Sequence, residues 1–133
     1  MITVRISVGP SQIHGLGCIA EEEIRTGQLV WKFQPGFDLA LKKEFIDSLP
    51  AGARENVLNY AYISKTTGDY ILCSDDSKFT NHSPMPNVKC VIPEGGAPNE
   101  LVCHATRTIL PGEEITNDYR DFDSSPDDVV EGG

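Results

Sequence analysis

Apolar and polar positions alternate most clearly at the start of the chain, where ITVRISV (2–8) places β-branched or apolar side chains at every second residue. A period of two predicts a half-buried strand. A polar, glycine-punctuated stretch, GPSQIHGLG, interrupts it before CIAEEEI, and Thr26-Gly27 marks a turn ahead of a strand in QLVWKF. The period then changes. In LALKKEFIDSL (39–49) Leu41, Phe45 and Leu49 recur at i, i+4 and i+8, with Ile46 beside Phe45, which is the spacing of one helical face. Asp38 stands where an N-cap belongs, and Pro50 with Gly52 supplies a stop. ARENVLNY adds a short second helical turn. A hairpin follows, AYIS and YILCS around KTTGD, and then strands in NVKCVIP and ELVCHATRTI joined by EGGAPN. Pro111-Gly112 turns the chain into EEITNDY. The whole pattern predicts a mainly β protein of about eight short strands with one good helix, built as several small sheets and not as one broad sandwich.

Composition narrows the class without supplying a function. With 133 residues, 39% hydrophobic and 23% charged, the chain has the size and apolar content of one soluble domain. No apolar run approaches the ~20 residues needed to cross a bilayer, and MITVRISVGP lacks the layout of a secretory leader. The expected compartment is therefore intracellular, cytoplasmic or nuclear, with no membrane partner. A formal charge of −9 argues against a direct nucleic-acid partner, which calls for a basic stripe, and suits attraction of a basic protein. Solubility alone accounts for the same charge. Acidity gathers in DYRDFDSSPDDVVEGG, so we expect a folded domain over 1–122 and a flexible acidic tail over 123–133. Cys18, Cys73, Cys90 and Cys103 contain no C-x-x-C pair and are expected to be reduced core residues. A metal set drawn from His14, Cys18, Cys90, Cys103 and His104 is disfavoured, because adjacent Cys103 and His104 on a strand point to opposite faces.

Three segments carry the candidate chemistry. In HGLGCIA, glycines on either side of Leu16 let backbone approach a ligand closely, or simply make a tight turn. No third glycine and no helix follow, so it is not a dinucleotide fingerprint. In NHSPMPN, Pro84 and Pro86 hold the backbone extended while Asn81, Asn87 and His82 offer donors and acceptors to a ligand or to the loop itself. PGEEITNDY delivers Tyr119 to the end of a short element, for chemistry or for packing.

Taken in order, G-x-G near the start, N-H-S-x-x-P-N in the middle and G-E-E-I-T-x-D-Y near the end resemble the SET domain of protein lysine methyltransferases. The resemblance runs from about Val4 to Tyr119 and includes GQLV after the glycine loop and ATRTILPGEE before the tyrosine. It implies several small curved sheets with a C-terminal pseudoknot and one or two short helices. It also implies S-adenosylmethionine on one side and a lysine channel on the other. On that likeness, the backbone at Leu16 and Gly17 cradles the methionine portion of the cofactor, Asn81 and His82 hold its adenine and amino-acid ends, and Tyr119 stands at the point of transfer. Tyr60 and Tyr62 correspond to an aromatic channel wall. The implied partner is a lysine-containing basic protein, histone-like or ribosomal; a homodimer that completes the substrate groove is left open.

Several positions depart from the family pattern. Lys78 replaces an arginine, Pro84-Met85 replaces Cys-x, and Asn117 occupies a position, often Phe or Tyr, that influences how many methyl groups are added. The zinc-binding cysteine clusters that flank many members are missing, and Phe122 is the aromatic available to close the channel in their place. A catalytically inactive SET-like module that binds basic peptides is the competing reading.

Overall fold

The computed structural model describes residues 1–124. Among these, short strands form three small sheets. β1 (Ile6–Pro10) and β2 (Leu16–Ala20) pair antiparallel, with Val8 opposite Cys18 and Gly9 opposite Gly17. The strand predicted over 2–8 begins later than its alternation suggests, because its first residues serve another sheet. Ile2 bridges Trp31, and the Thr3 N–H donates to the Val30 carbonyl at 2.9 Å. That second sheet orders β3 (Leu29–Lys32), β9 (Val102–Ala105) and β8 (Val88–Val91) with β9 central. The third places β6 (Tyr70–Leu72) between β4 (Leu39–Leu41) and β5 (Tyr62–Ile63).

The helix predicted over 39–49 is only partly present. Leu39, Ala40 and Leu41 pair with Leu72, Ile71 and Tyr70, and α1 covers Lys43–Asp47 alone. A neighbouring strand satisfies the backbone of 39–41, an outcome that periodicity within one segment does not register. Asp38 is buried and caps no helix; its carboxylate accepts the Gln34 N–H at 2.9 Å. The longer helix is α2 (Ala51–Tyr60), which starts directly after Pro50. The fixed φ of proline, −55° here, suits entry into a helix, so Pro50 both ends one helix and begins the next.

The C-terminal segment positions the candidate site. β10 (Glu114–Asn117) lies between β2 and β7 (Asn81–His82). It is antiparallel to the first, Ile115 opposite Cys18, and parallel to the second, Thr116 opposite Asn81 and Asn117 opposite His82. The NHSPMPN segment, expected to be extended from its prolines, thus lends two residues to a sheet. Further on, the Phe122 carbonyl accepts the Lys65 N–H at 3.0 Å, Asp123 bridges Ser64, and the Ser124 N–H donates to the Ile63 carbonyl at 2.8 Å. The last strand is thus inserted between two earlier strands, and the chain beyond it is fastened to a third element. Of the tail expected over 123–133, positions 125–133 lie outside the described residues.

The core joins the first two sheets through Cys18, Ile24, Val30, Ile109 and Ile115. Cys90 and Cys103, expected as separate reduced residues, stand directly opposite each other on β8 and β9 and form a disulfide. Register creates that pairing, and a separation of 13 residues does not reveal it. Cys18 and Cys73 are free.

Candidate active site

The glycine loop, the Asn-His pair and the final tyrosine, distant in sequence, are linked by side chains. At Gly15 a φ of +50° favours glycine. Gly17 has a different requirement: a Cβ there would come 2.5 Å from Oε2 of Glu114 and 3.2 Å from Nδ2 of Asn81. These two side chains are bonded to each other at 2.9 Å. Glu114 also accepts from the Ser11 hydroxyl at 2.7 Å, while Nδ2 of Asn81 lies 3.0 Å from the Leu16 carbonyl and 3.1 Å from that of His14. The Asn81 amide and the Glu114 carboxylate thus fasten the glycine loop to β10 from beneath. The Leu16 side chain faces outward, half exposed.

His82 continues the line. It is buried, and its Nδ1 accepts the Tyr119 N–H at 3.1 Å, which leaves Nε2 to carry the ring proton. The two rings lie 5.4 Å apart. The Tyr119 hydroxyl donates to the Thr80 carbonyl at 2.6 Å. Burial pushes the Tyr119 phenol up to about 12, with the nearby Asp123 and Cys18 adding to the rise. Its hydroxyl therefore stays neutral near pH 7.

The remaining predicted residues gather around a cavity of about 160 Å³. Tyr60, Tyr62, Asn117, Tyr119 and Phe122 line it, together with Lys78 and Thr80. Phe122 is buried and meets Tyr62 edge-on at 4.8 Å and Tyr119 at 5.9 Å. Burial raises the Tyr62 phenol further still. Tyr60 packs on Phe79 at 5.7 Å, away from the Tyr62–Phe122 pair. The side-chain oxygen of Asn117 is buried without a hydrogen-bond partner among the described residues. Tyr62, Leu101 and Phe122 also face a second cavity, about 290 Å³, on their other side.

The predicted site residues therefore fall into two groups. Leu16, Gly17, Asn81 and His82 form an outer edge that does not line the first cavity. Tyr119 joins the groups, touching His82 through its backbone and the cavity through its side chain. Two contributors were missed. Glu114 was visible in PGEEITNDY but carried no assigned role, and the Thr80 acceptor is a backbone carbonyl that any residue type could supply.

A family profile described as SET domain matches residues 15–120 of this chain. A histone-lysine N-methyltransferase of Schizosaccharomyces pombe described as H3 lysine-4 specific is 27% identical over 120 residues, 87% of this chain and 13% of that protein. The trithorax histone-lysine N-methyltransferase of Drosophila virilis is 28% identical over 127 residues, 86% of this chain and 3% of that protein. The chain thus spans a small part of these relatives. Among solved structures, a histone methyltransferase candidate of Plasmodium falciparum aligns with a TM-score of 0.60 at 22% identity, covering 89% of this chain and 95% of that one. A humanized mutant of the Chaetomium thermophilum Polycomb Repressive Complex 2, bound to the inhibitor GSK126, aligns with a TM-score of 0.65 at 21% identity, over 93% of this chain and 16% of that one.

Proposed function

The chain belongs to the SET-domain family, and from that premise we propose that it transfers a methyl group from S-adenosylmethionine to the side-chain amine of lysine in a basic protein. The observation that carries this reading is Tyr119, whose neutral hydroxyl is bonded to the Thr80 carbonyl on the wall of a cavity that also holds Asn117. A cavity of about 160 Å³ is smaller than the ~300–1,000 Å³ that drug-sized ligands occupy. It suits a single side chain.

The residues fit a positively charged methyl donor. Around the cavity, the Tyr119 hydroxyl, the Thr80 carbonyl and the orphaned Asn117 oxygen are oxygen groups suited to a cation or an amine. Along the outer edge stand the Leu16 and His14 carbonyls and the Glu114 carboxylate, acceptors suited to an ammonium group. We assign that edge, with Leu16, Gly17, Asn81 and His82, to the donor; when bound, S-adenosylmethionine supplies an electrophilic methyl group. The chain's task is to present a neutral amine. Lysine has a reference pKa of about 10.4, so only on the order of one in 2,500 is neutral at pH 7. Walls built from Tyr62, Ile115 and Phe122 disfavour the charged form, so the proton leaves to water before the amine is seated. Tyr119, protonated at neutral pH, positions the amine through its oxygen and does not act as a base.

The substrate class we favour is a histone-like or ribosomal segment drawn to an acidic surface, which places the reaction in the nucleus or cytoplasm. Among the described residues no helix is long and apolar enough to cross a membrane. The test incubates the protein with methyl-labelled S-adenosylmethionine and histone or ribosomal proteins, beside Tyr119→Phe. Label that Tyr119→Phe abolishes supports the proposal. Peptide binding without label in either protein supports the inactive module instead.

A further inference from the structure

Lys78 lines the same cavity as Tyr60, Asn117 and Tyr119. Its ammonium lies 5.3 Å from the centre of the Tyr60 ring and 5.7 Å from that of Phe79. The two rings meet edge to face at 77°, so one cation is offered a corner made of two aromatic groups. Lys78 and Tyr60 are both partly buried, so the corner is not sealed from solvent. Among the described residues some lysines hold a carboxylate in an ion pair, while Lys32, Lys65 and Lys78 hold none. Lys42, Lys43 and Lys89 each hold one at 2.6–2.7 Å. Lys78 has no ion pair among the described residues and rests on the rings.

A substrate lysine carries the same ammonium on the same four-carbon stem. To reach Tyr119 along the Tyr60 wall it meets an aromatic corner that already holds its own chemical equal. We propose that Lys78 is a resident stand-in for the substrate lysine, holding the aromatic corner at the cavity wall and giving it up to the incoming amine. The proposal rests on the methyl-transfer reading and adds a selection rule. A lone amine exchanges one ammonium for another and displaces Lys78 only in large excess, whereas a protein segment with further contacts to the acidic surface displaces it at low concentration. Competition at this corner thus favours lysines embedded in a basic segment.

The test begins without cofactor. In protein carrying 13C at the lysine ε-carbons, the Lys78 signal is identified by its loss in Lys78→Arg and is expected upfield of that of exposed Lys43, shifted by the ring faces. Adding n-butylammonium chloride, a lysine side-chain surrogate, should move it toward the Lys43 position, while sodium chloride of equal ionic strength should not. A Lys78 signal that stays in place, or moves equally in both salts, overturns the proposal. A kinetic arm uses Lys78→Met, which should lower KM for a lysine-rich histone-like peptide by about 2- to 5-fold, the worth of one surface cation–π contact. A KM unchanged or raised also overturns it. If the amine displaces Lys78 but no protein methylation occurs in either enzyme, the methyl-transfer reading fails and the cation exchange at the corner stands.

Discussion

Gly17→Ala is the perturbation whose consequence can be worked most directly from the coordinates. The new methyl group would lie 2.5 Å from Oε2 and 2.8 Å from Cδ of Glu114, closer than atoms tolerate. Both are at the free end of a flexible side chain, so Glu114 swings aside and the backbone stays. That movement breaks the Ser11 bond at 2.7 Å and the Asn81 bond at 2.9 Å. Bonds to a charged group contribute about 1.5–3 kcal/mol each, and these partly buried ones belong at the lower end, about 3 kcal/mol together. Alanine in a strand is better than glycine by about 0.5–1 kcal/mol, leaving a net loss of about 2 kcal/mol. Urea unfolding of the single variants and the double variant checks this. Gly17→Ala should cost about 2 kcal/mol in the wild-type background and gain up to about 0.5–1 kcal/mol in Glu114→Ala, where the bonds are already gone and only Asn81 Nδ2, 3.2 Å away, still crowds the methyl. An equal loss in both backgrounds would refute the assignment of Gly17 to the Glu114 contact. Calorimetry with S-adenosylmethionine shows whether the glycine also serves the donor, through a further loss of binding when Gly17→Ala is added to Glu114→Ala.

Other expectations follow from the same geometry. Tyr119 titrates near 12 in the fold and near 10 when unfolded, so its contribution is complete below pH 10 and is lost as pH rises toward 12, about 2–3 kcal/mol in all. Cys18 and Cys73, each raised to about 11 by burial, add to the alkaline loss; Tyr119→Phe should flatten the pH 10–12 part of the stability curve, and an unaltered slope argues against a buried phenol. Phe122→Ala removes part of the wall between the two cavities and should cost about 3–5 kcal/mol by urea unfolding, together with peptide binding; unaffected peptide binding would remove Phe122 from the channel. Asn117→Phe, which fills the cavity beside Tyr119, should shift the mono-, di- and trimethyl distribution seen by mass spectrometry, and an unchanged distribution takes Asn117 out of the channel. Thiol titration of the unfolded protein should find two reactive groups without reductant and four with it, and reduction should cost about 3 kcal/mol for a loop of this length.

What sequence could and could not reveal follows from where each interaction is written. The glycine loop, NHSPMPN and PGEEITNDY are legible because each is contiguous and its residue types are restricted, by φ at Gly15, by ring closure at Pro84 and Pro86, by hydrogen-bonding capacity at Asn81 and His82. Strand content is legible for the same local reason. The helix over 39–49 fails because the decisive partner of Leu39–Leu41 lies some thirty residues on, in Tyr70–Leu72, and a competing ladder overrides a correct local period. The Cys90–Cys103 pair is a matter of register, fixed only once β8 meets β9. Thr80 is hidden most deeply, since it works through a carbonyl that every residue carries. Asn117 lies between these extremes. Its identity was readable as a small polar replacement for an aromatic, but its buried oxygen without a partner emerges only when β10 is seen beside the cavity. An unpaired buried acceptor is costly to keep, on the order of 1–3 kcal/mol, and a fold retains one most readily where a donor arrives from outside. On the proposed reaction that donor is the N–H of the amine. Replacing Asn117 by Leu should then stabilise the free protein while weakening its hold on a lysine peptide. A loss of both, or a gain of both, would mean that the oxygen serves the fold and not the substrate.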